Sequence, residues 1–211
     1  MLHKNKQYYA KTDWTIDKVG DEINKGLKIL NKYNNKIVTF FGSHKVDFKS
    51  EYYTNCRDLA FELGKRGYTI ITGGGPGIMH AANYGANEAK ANSIGFKAEL
   101  LKGEAVKDKI FTEELSFHFI FVRRFIMSIK SDALIFYPGG YGTLNELFEY
   151  AVLMQTSIVD TVPIICVNRK YWSGLFKWLK ENPLKNDFFI KDSDLNLISF
   201  VDTKDEVIEI T

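Results

Sequence analysis

Short apolar runs alternate with longer amphipathic stretches along most of the chain. Apolar runs of a few residues bounded by glycine, proline or asparagine are typical of buried strands, and apolar residues spaced by three and four are typical of helices. The pattern predicts six strands, at residues 37–42, 68–72, 93–96, 117–121, 133–137 and 162–167. It predicts helices between and after them at 52–66, 77–91, 122–129, 143–157 and 171–180.

Strands that alternate with helices in this way indicate an α/β fold, a doubly wound and mostly parallel sheet with helices on both faces. An amphipathic helix is predicted over 16–30, from apolar residues at helical spacing: Ile16, Val19, Ile23, Leu27 and Leu30. We therefore predict an N-terminal helical extension over residues 1–35 and a single α/β domain over residues 36–211.

Composition narrows the class of protein. The 211 residues suffice for one well-buried domain, and 45% apolar with 26% charged residues is ordinary for a globular protein. A net charge of +2 is too small to attract nucleic acid by bulk electrostatics. The first residues lack the apolar core of a secretory signal, and no apolar run approaches the roughly 18 residues that span a bilayer. We expect a cytoplasmic protein that binds neither nucleic acid nor membrane.

The most informative stretch is PGGYGTLNE, from Pro138 to Glu146, between a predicted strand and helix. Its glycines Gly139, Gly140 and Gly142 leave backbone N–H groups uncovered, and the helix start adds unpaired N–H groups that bind anions such as phosphate. Thr143 adds a hydroxyl. A carboxylate facing a phosphate would repel it, so we expect Glu146 to point sideways, towards hydroxyls such as those of a ribose. The stretch predicts a site for a sugar phosphate or nucleotide.

Two other loops leave strand ends. TGGGPGIM, residues 72–79, matches neither the dinucleotide fingerprint nor the P-loop, and its glycines, with Gly74 and Gly75 among them, indicate either close approach of a ligand or a tight turn. The loop after the first strand carries Ser43, a possible ligand donor, and Lys45, a possible phosphate partner. Ligands of such sheets lie at the carboxyl ends of the strands, where the strand order reverses. We predict that the loops converge there.

Paired arginines, Arg123 and Arg124, follow an apolar run directly before the strand that leads to the PGGYGTLNE loop. An arbitrary arginine pair is usually a solvated helix face. At this place in the chain, however, the fixed guanidinium fork suits a phosphate, a nucleobase edge or a carboxylate. We therefore predict that at least one of the two arginines lies in the site.

The 72–79 loop, the arginine pair with Met127, and the 138–146 loop together resemble the LONELY GUY family, the cytokinin riboside 5′-monophosphate phosphoribohydrolases, often labelled lysine decarboxylase-like. The resemblance extends from the strand near Ile37 to Ile210. It implies a Rossmann-like fold, a nucleotide-binding domain, a homodimer, and hydrolysis of a nucleoside 5′-monophosphate to free base and ribose 5-phosphate. It implies no metal or organic cofactor. The decarboxylase label predicts a pyridoxal-phosphate lysine, and no residue pattern here supplies one.

The resemblance implies that Arg123 and Glu146 are catalytic, and it assigns the phosphate to the 138–146 loop. We take Gly74, Gly75, Ser43 and Arg124 as further substrate-binding residues. The form of the 72–79 loop is similar to that of the bacterial branch, which favours AMP over a specialised cytokinin precursor. The chain departs from the family where Arg124 replaces a lysine and Asn145 an acidic residue, and also at His44, Lys45 and His80; these changes concern base selectivity more than the reaction.

Our hypothesis is that the glycine loop fixes the 5′-phosphate while Glu146 holds the ribose hydroxyls and stabilises positive charge on the ring, or orients the attacking water. Arg123 then contacts the base or Glu146 and helps the base leave. The alternative is a non-catalytic carrier or sensor of a phosphorylated ligand, of the nucleotide or molybdenum-cofactor type. Two further expectations are a cover over the site at 102–109 and 111–114, and a dimer face on the helix carrying Leu147, Ala151, Val152 and Met154.

Overall fold

Parallel strands form one sheet in the computed structural model, which describes residues 12–101, 106, 108–186 and 189–211. Within these residues the sheet has seven strands in the order β4-β3-β2-β1-β5-β6-β7, and every neighbouring pair is parallel. The strands are β1 (Ile37–Phe41), β2 (Thr69–Thr72), β3 (Ser93–Ala98), β4 (Glu113–Phe117), β5 (Ala133–Phe136), β6 (Ile164–Val167) and β7 (Ile198–Val201).

The helices cover both faces of the sheet. They are α1 (Thr12–Leu30), α2 (Glu51–Lys65), α3 (Ile78–Glu88), α4 (Ile120–Ser128), α5 (Tyr141–Gln155), α6 (Arg169–Leu179), α7 (Asp192–Leu195) and α8 (Lys204–Ile210), with a π-helical turn at Lys180–Leu184. One core cluster joins the sheet to α1, α4, α5 and α6, and a second joins its other face to α2, α3 and α8. None of the described helices is both long and apolar enough to cross a membrane.

The strand order reverses at β1. The chain runs outward from β1 to β4, crosses back through α4, and continues on the other side of β1 with β5, β6 and β7. A crevice therefore opens between the carboxyl ends of β1 and β5, which is the usual ligand position in such sheets. The predicted doubly wound α/β fold is confirmed.

The predicted fourth strand at 117–121 is wrong. The strand is Glu113–Phe117, and α4 already begins at Ile120. The apolar run continues across a strand end and a helix start, so its hydrophobicity did not mark the boundary. In the structure the N–H groups of His118 and Phe119 donate to the carboxylate of Glu22 instead of to a sheet partner. The sequence reading also missed the edge strand β7.

Residues 111–114 do not contribute to the expected cover over the site. They form the amino end of β4 and the two residues before it, at the sheet edge opposite the crevice, and the Thr112 N–H bonds to the Ser93 carbonyl there. Most of the stretch 102–109 lies outside the described residues, as do residues 1–11 of the predicted extension. The rest of the extension is the helix α1, whose residues Ile29 and Leu30 are buried in the same core as the sheet.

Candidate active site

Ser43 joins the three predicted loops at the end of β1. Its N–H donates to the Pro138 carbonyl at 3.1 Å, and its carbonyl accepts from the N–H of Ile78 at 3.1 Å. Gly77, in the left-handed conformation at φ 67°, lies so close that a Cβ would stand 2.3 Å from the Ser43 carbonyl oxygen. The backbone of Ser43 thus fixes both glycine loops at the crevice, while substrate binding by Ser43 stays a prediction.

The 138–146 loop presents a helix N-terminus to open space. The first hydrogen bond of α5 runs from the Leu144 N–H to the Gly140 carbonyl, so the N–H groups just before it, in residues 141–143, lack an intrahelical partner. No side chain caps this helix end. A Cβ on Gly140 or Gly142 would meet nothing within 4 Å. The fold therefore does not require glycine at these two positions, whereas a ligand approaching the backbone would.

Gly139 and Thr143 form the floor of this loop. A Cβ on Gly139 would lie 2.1 Å from the Thr143 Oγ1, and Thr143 is buried beneath it. From α6, the Tyr171 hydroxyl donates to the Gly139 carbonyl at 2.5 Å and braces the turn from outside. Tyr171 had no sequence signal, because its contact depends on how α6 packs beside β5.

Arg123 is held by backbone carbonyls at the ends of two strands. Its Nε donates to the Phe96 carbonyl at 2.7 Å, and its Nη2 donates to the Gly73 carbonyl at 3.3 Å. A Cβ on Gly73 would stand 1.9 Å from Nη2, so only glycine admits the guanidinium here. The residue is only 7% exposed. A buried cation in a fixed orientation results, and Gly73 is a site residue that the sequence reading did not single out.

The other glycines of the 72–79 loop have different surroundings. The Gly74 N–H donates to the Thr72 Oγ1 at 2.8 Å, so it is engaged within the loop and does not face a ligand. Gly75 is buried. The tight-turn alternative therefore describes Gly74 better than phosphate binding does, and the loop acts on the site mainly by holding Arg123.

Arg124 connects the helices that carry the two predicted catalytic residues. Its Nε lies 2.6 Å from the Glu149 Oε2, and its Nη1 donates to the Asn145 Oδ1 at 2.8 Å. The Tyr150 hydroxyl also donates to the Arg124 carbonyl at 3.0 Å. Asn145 and Arg124 both depart from the family pattern, and the structure pairs them with each other. The Arg124 guanidinium lies beside the predicted substrate site with these partners already in place.

Glu146 has a strongly perturbed carboxyl group. Burial raises its pKa to about 7, Arg123 and Arg124 oppose the rise, and Glu149 adds to it. The residue as a whole keeps some exposure at the crevice, while its carboxyl group lies deep in the protein. A carboxyl group with this pKa exchanges its proton readily near neutral pH, which is the property of a general acid or base. Because both arginines act on the pKa of Glu146, the three side chains lie near one another beside the glycine loop.

We expect Glu146→Gln to stabilise the protein at pH 8. The folded-state pKa lies above the ordinary value of 4.5. The folded state therefore binds more protons than the unfolded state between these values, and the free energy of unfolding falls as the pH rises from about 4.5 to about 7. Glutamine removes this loss, which amounts to roughly 2–3 kcal/mol above pH 7. Urea unfolding at pH 4 and pH 8 measures it. An equal difference between wild type and variant at both values would contradict the assignment.

The chain is similar in sequence to proteins of one known family. A family model described as "Possible lysine decarboxylase" matches residues 79–211. A cytokinin riboside 5′-monophosphate phosphoribohydrolase of Arabidopsis thaliana is 30% identical over 146 residues, which cover 68% of this chain and 67% of the relative. The chain belongs to the LONELY GUY family. Another Arabidopsis member is 27% identical over 186 residues, covering 87% of this chain and 79% of the relative. A probable member from Oryza sativa subsp. japonica is 29% identical over 205 residues, covering 94% and 79%.

Solved structures share the fold of this LONELY GUY family chain. A molybdenum cofactor binding protein from Rippkaea orientalis has a TM-score of 0.61 at 19% identity, covering 84% of this chain and 96% of its own. The molybdenum cofactor carrier protein of Chlamydomonas reinhardtii has a TM-score of 0.60 at 19% identity, covering 84% and 98%. At this identity the likeness establishes the fold and not the ligand.

The decarboxylase description does not fit the lysine beside the 72–79 loop. Pyridoxal-phosphate chemistry requires a lysine amine that forms a Schiff base. The Lys97 side chain packs against Gly74, but its ammonium pairs with Glu114 at 2.6 Å and lies over the Phe111 ring. An ammonium in an ion pair is not the free amine that a Schiff base needs, so we derive no step through this cofactor.

Proposed function

We propose that this protein hydrolyses the N-glycosidic bond of a nucleoside 5′-monophosphate, AMP or a cytokinin riboside monophosphate, to free base and ribose 5-phosphate. The observation that carries the proposal is Glu146, a carboxyl group with a pKa of about 7 that faces two arginines beside a helix N-terminus. A protein that only holds phosphate has no need of such a group. The curated relatives carry this activity in their names.

The 5′-phosphate binds at the start of α5 in this proposal. The unpaired N–H groups of residues 141–143 and the positive end of the helix dipole favour a dianion there. The open space over Gly140 and Gly142 admits its oxygens. With the phosphate fixed, the ribose extends from this loop towards Glu146, one helical turn farther along α5.

Glu146 acts on the ribose and on the attacking water. The C1′–N bond breaks with its electron pair leaving on the base, and positive charge develops on the ribose ring. The ionised carboxylate stabilises this charge and accepts a proton from the water whose oxygen bonds to C1′, while the departing base nitrogen takes a proton from solvent. A pKa near 7 lets Glu146 take up this proton and release it to solvent in the next cycle.

Arg123 supplies a fixed positive charge in this mechanism. The carbonyls of Phe96 and Gly73 hold its guanidinium in a buried position, so its orientation requires no reorganisation during the reaction. It lowers the pKa of Glu146 and thereby keeps a useful fraction ionised at neutral pH. In the proposed complex it also stabilises the electron pair on the departing base.

Base release from a panel of 5′-monophosphates, with chromatographic detection, tests the function. The panel is AMP, GMP, CMP, UMP and isopentenyladenosine monophosphate. Release of the base together with stoichiometric ribose 5-phosphate is the expected result, and AMP as the preferred substrate is expected from the form of the 72–79 loop. We expect EDTA to leave the rate unchanged. No release from any nucleotide, with tight binding of one, would place the protein in the carrier or sensor class.

We also propose that the protein forms a homodimer through α4 and α5. Five exposed apolar side chains lie on these adjoining helices or at the end of α4: Phe121, Phe125, Ile129, Phe148 and Val152, each at least 39% exposed. Of the four residues expected on the dimer face, Leu147 and Met154 are instead buried in the core. An exposed apolar surface of this kind marks an interaction site.

Sedimentation equilibrium of wild type and Phe125→Glu tests the dimer. The wild type should sediment as a dimer, and the variant should dissociate because a charge would be buried in the apolar interface. Tyr84→Glu, which adds a charge at a partly exposed aromatic residue on the opposite face of the sheet, is the control and should remain dimeric. A monomeric wild type would contradict the proposal.

A further inference from the structure

Glu22 of α1 is a buried carboxylate that contacts the start of α4. The residue is almost fully buried, at 1% exposure. Oε1 accepts from the His118 N–H at 2.6 Å, and Oε2 accepts from the Phe119 N–H at 3.2 Å. Phe119 is the N-cap residue of α4 and has no side-chain cap of its own. The carboxylate from another helix therefore binds the two backbone N–H groups that directly precede α4, and its charge is favourable at a helix N-terminus.

α1 and α4 also touch at a second place, which follows Arg123 along the chain. Gly26 lies one turn along α1 from Glu22, and a Cβ there would stand 2.7 Å from the Ile126 Cγ2. The two helices therefore touch with no room for a side chain between them. Arg123 lies between the two contacts, because the Glu22 bonds precede it on the chain and the Gly26 contact follows it by three residues. The turn of α4 that carries the guanidinium is thus held at both ends by α1.

The ammonium group of Lys18 lies beside the Glu22 carboxylate and compensates its negative charge. The Lys18 Nζ lies 3.4 Å from the Glu22 Oε1 and 3.5 Å from Glu99 Oε1, and the His118 Nδ1 lies 3.5 Å from Glu99 Oε2. The Trp14 ring packs edge-on against His118 at 5.4 Å and belongs to the same helix α1. A buried carboxylate with two backbone donors and a cation is a satisfied group, so it can fix geometry without destabilising the fold.

We propose that Glu22 is a positioning residue for Arg123. By fixing the first turn of α4, it sets the depth at which the Arg123 guanidinium reaches the carbonyls of Phe96 and Gly73 and faces Glu146. The phosphate loop is held instead by hydrogen bonds from Ser43, after β1, and from Tyr171, on α6. Loss of Glu22 therefore disturbs the charge that acts on the reacting bond and leaves the phosphate site intact. The catalytic consequence rests on the proposed function.

Glu22→Gln and the control Asp21→Asn test the proposal kinetically with AMP. Glutamine has one oxygen and an amide group that cannot accept the second N–H, so the turn loses one of its two bonds. We expect kcat to fall by about ten- to a hundredfold, since small misplacements of a catalytic group have effects of this order, with KM changed less than about threefold. Asp21 forms a surface ion pair with Lys25 on the same helix, and Asp21→Asn should retain the wild-type kcat.

A double-mutant cycle shows whether Glu22 acts through Arg123 or only makes the protein as a whole less rigid. In the Arg123→Ala background, Glu22→Gln should lower kcat by no further factor, because the group that it positions is already absent. An undiminished effect of Glu22→Gln in that background would overturn the proposal. The proposal would also be overturned if Glu22→Gln left kcat unchanged and lowered kcat/KM only by raising the KM for AMP. The substitution would then affect the phosphate site.

Hydrogen exchange of the Arg123 Nε–H, followed by NMR, decides the proposal without reference to activity. The bond to the Phe96 carbonyl should slow this exchange in wild type and in Asp21→Asn, and Glu22→Gln should accelerate it at least about tenfold. Unchanged exchange in Glu22→Gln would overturn the positioning role even if the enzyme is active. Accelerated exchange in a protein that releases no base would support the positioning role and refute the hydrolase, so the two failures are distinguishable.

Discussion

Glu146→Gln should lower kcat for AMP by on the order of 10²-fold or more, with a small change in KM. Glutamine has the size of glutamate but cannot carry the negative charge that faces the developing ribosyl cation, and it cannot accept the proton of the attacking water. The burial that raises the pKa of Glu146 also strengthens its interaction with that cation, because the site has a low dielectric constant. Single-turnover rates of wild type and variant on AMP measure the effect.

The pH profile assigns the reactive form of this residue. The carboxylate is the active form in the proposed mechanism, so log kcat/KM should rise with unit slope up to a pH of about 7 and then level off. The phosphate of AMP titrates near pH 6, and the residual rate of Glu146→Gln, measured in parallel, isolates that contribution. A profile that instead falls above pH 7 would show that the protonated acid is required, and a wild-type rate in Glu146→Gln would remove the residue from the mechanism.

Adenosine should be a far poorer substrate than AMP, with kcat/KM lower by about 10³-fold or more and kcat itself reduced. The helix start at residues 141–143 binds the phosphate well away from the bond that breaks. Binding energy from such a remote group holds the ribose against Glu146 in the reactive orientation, so its loss reduces turnover as well as affinity. Initial rates of base release from AMP and adenosine at matched concentrations measure the difference.

Gly140→Ala tests the same contact from the side of the protein. The added methyl group meets no protein atom within 4 Å, and the backbone at φ −93° suits alanine, so the fold should be unaffected. The methyl group would occupy the space that the phosphate oxygens use. Activity on AMP should therefore fall while the slow reaction of adenosine stays the same. Gly174→Ala, where a Cβ also meets nothing within 4 Å, is the matched control. Equal rates of base release from AMP and adenosine in the wild type would refute the proposal that binding of the phosphate supports the reaction.

The sequence predicted the α/β fold, the two glycine loops and the crevice because each depends on a local pattern. Buried parallel strands are short apolar runs, and glycine-rich strand ends are recognisable wherever they occur. Arg123 and Glu146 were predicted to be catalytic because the motifs that contain them resemble those of a family. The boundary between β4 and α4 was missed because the apolar run from Phe117 to Val122 gives no local sign of where the strand ends.

The sequence by itself therefore determined the fold class, which follows from periodicity. It also indicated the family and the two residues proposed to be catalytic, which follow from the resemblance of short motifs. Only the tertiary structure decided the environment of those residues. The pKa of Glu146 depends on burial between helices, and Arg123 is fixed by carbonyls from two strands and by a glycine fifty positions away in the chain. The bond between Glu22 and the His118 N–H, directly before α4, joins residues 96 positions apart. No local pattern encodes such contacts, since they arise only when distant segments pack together.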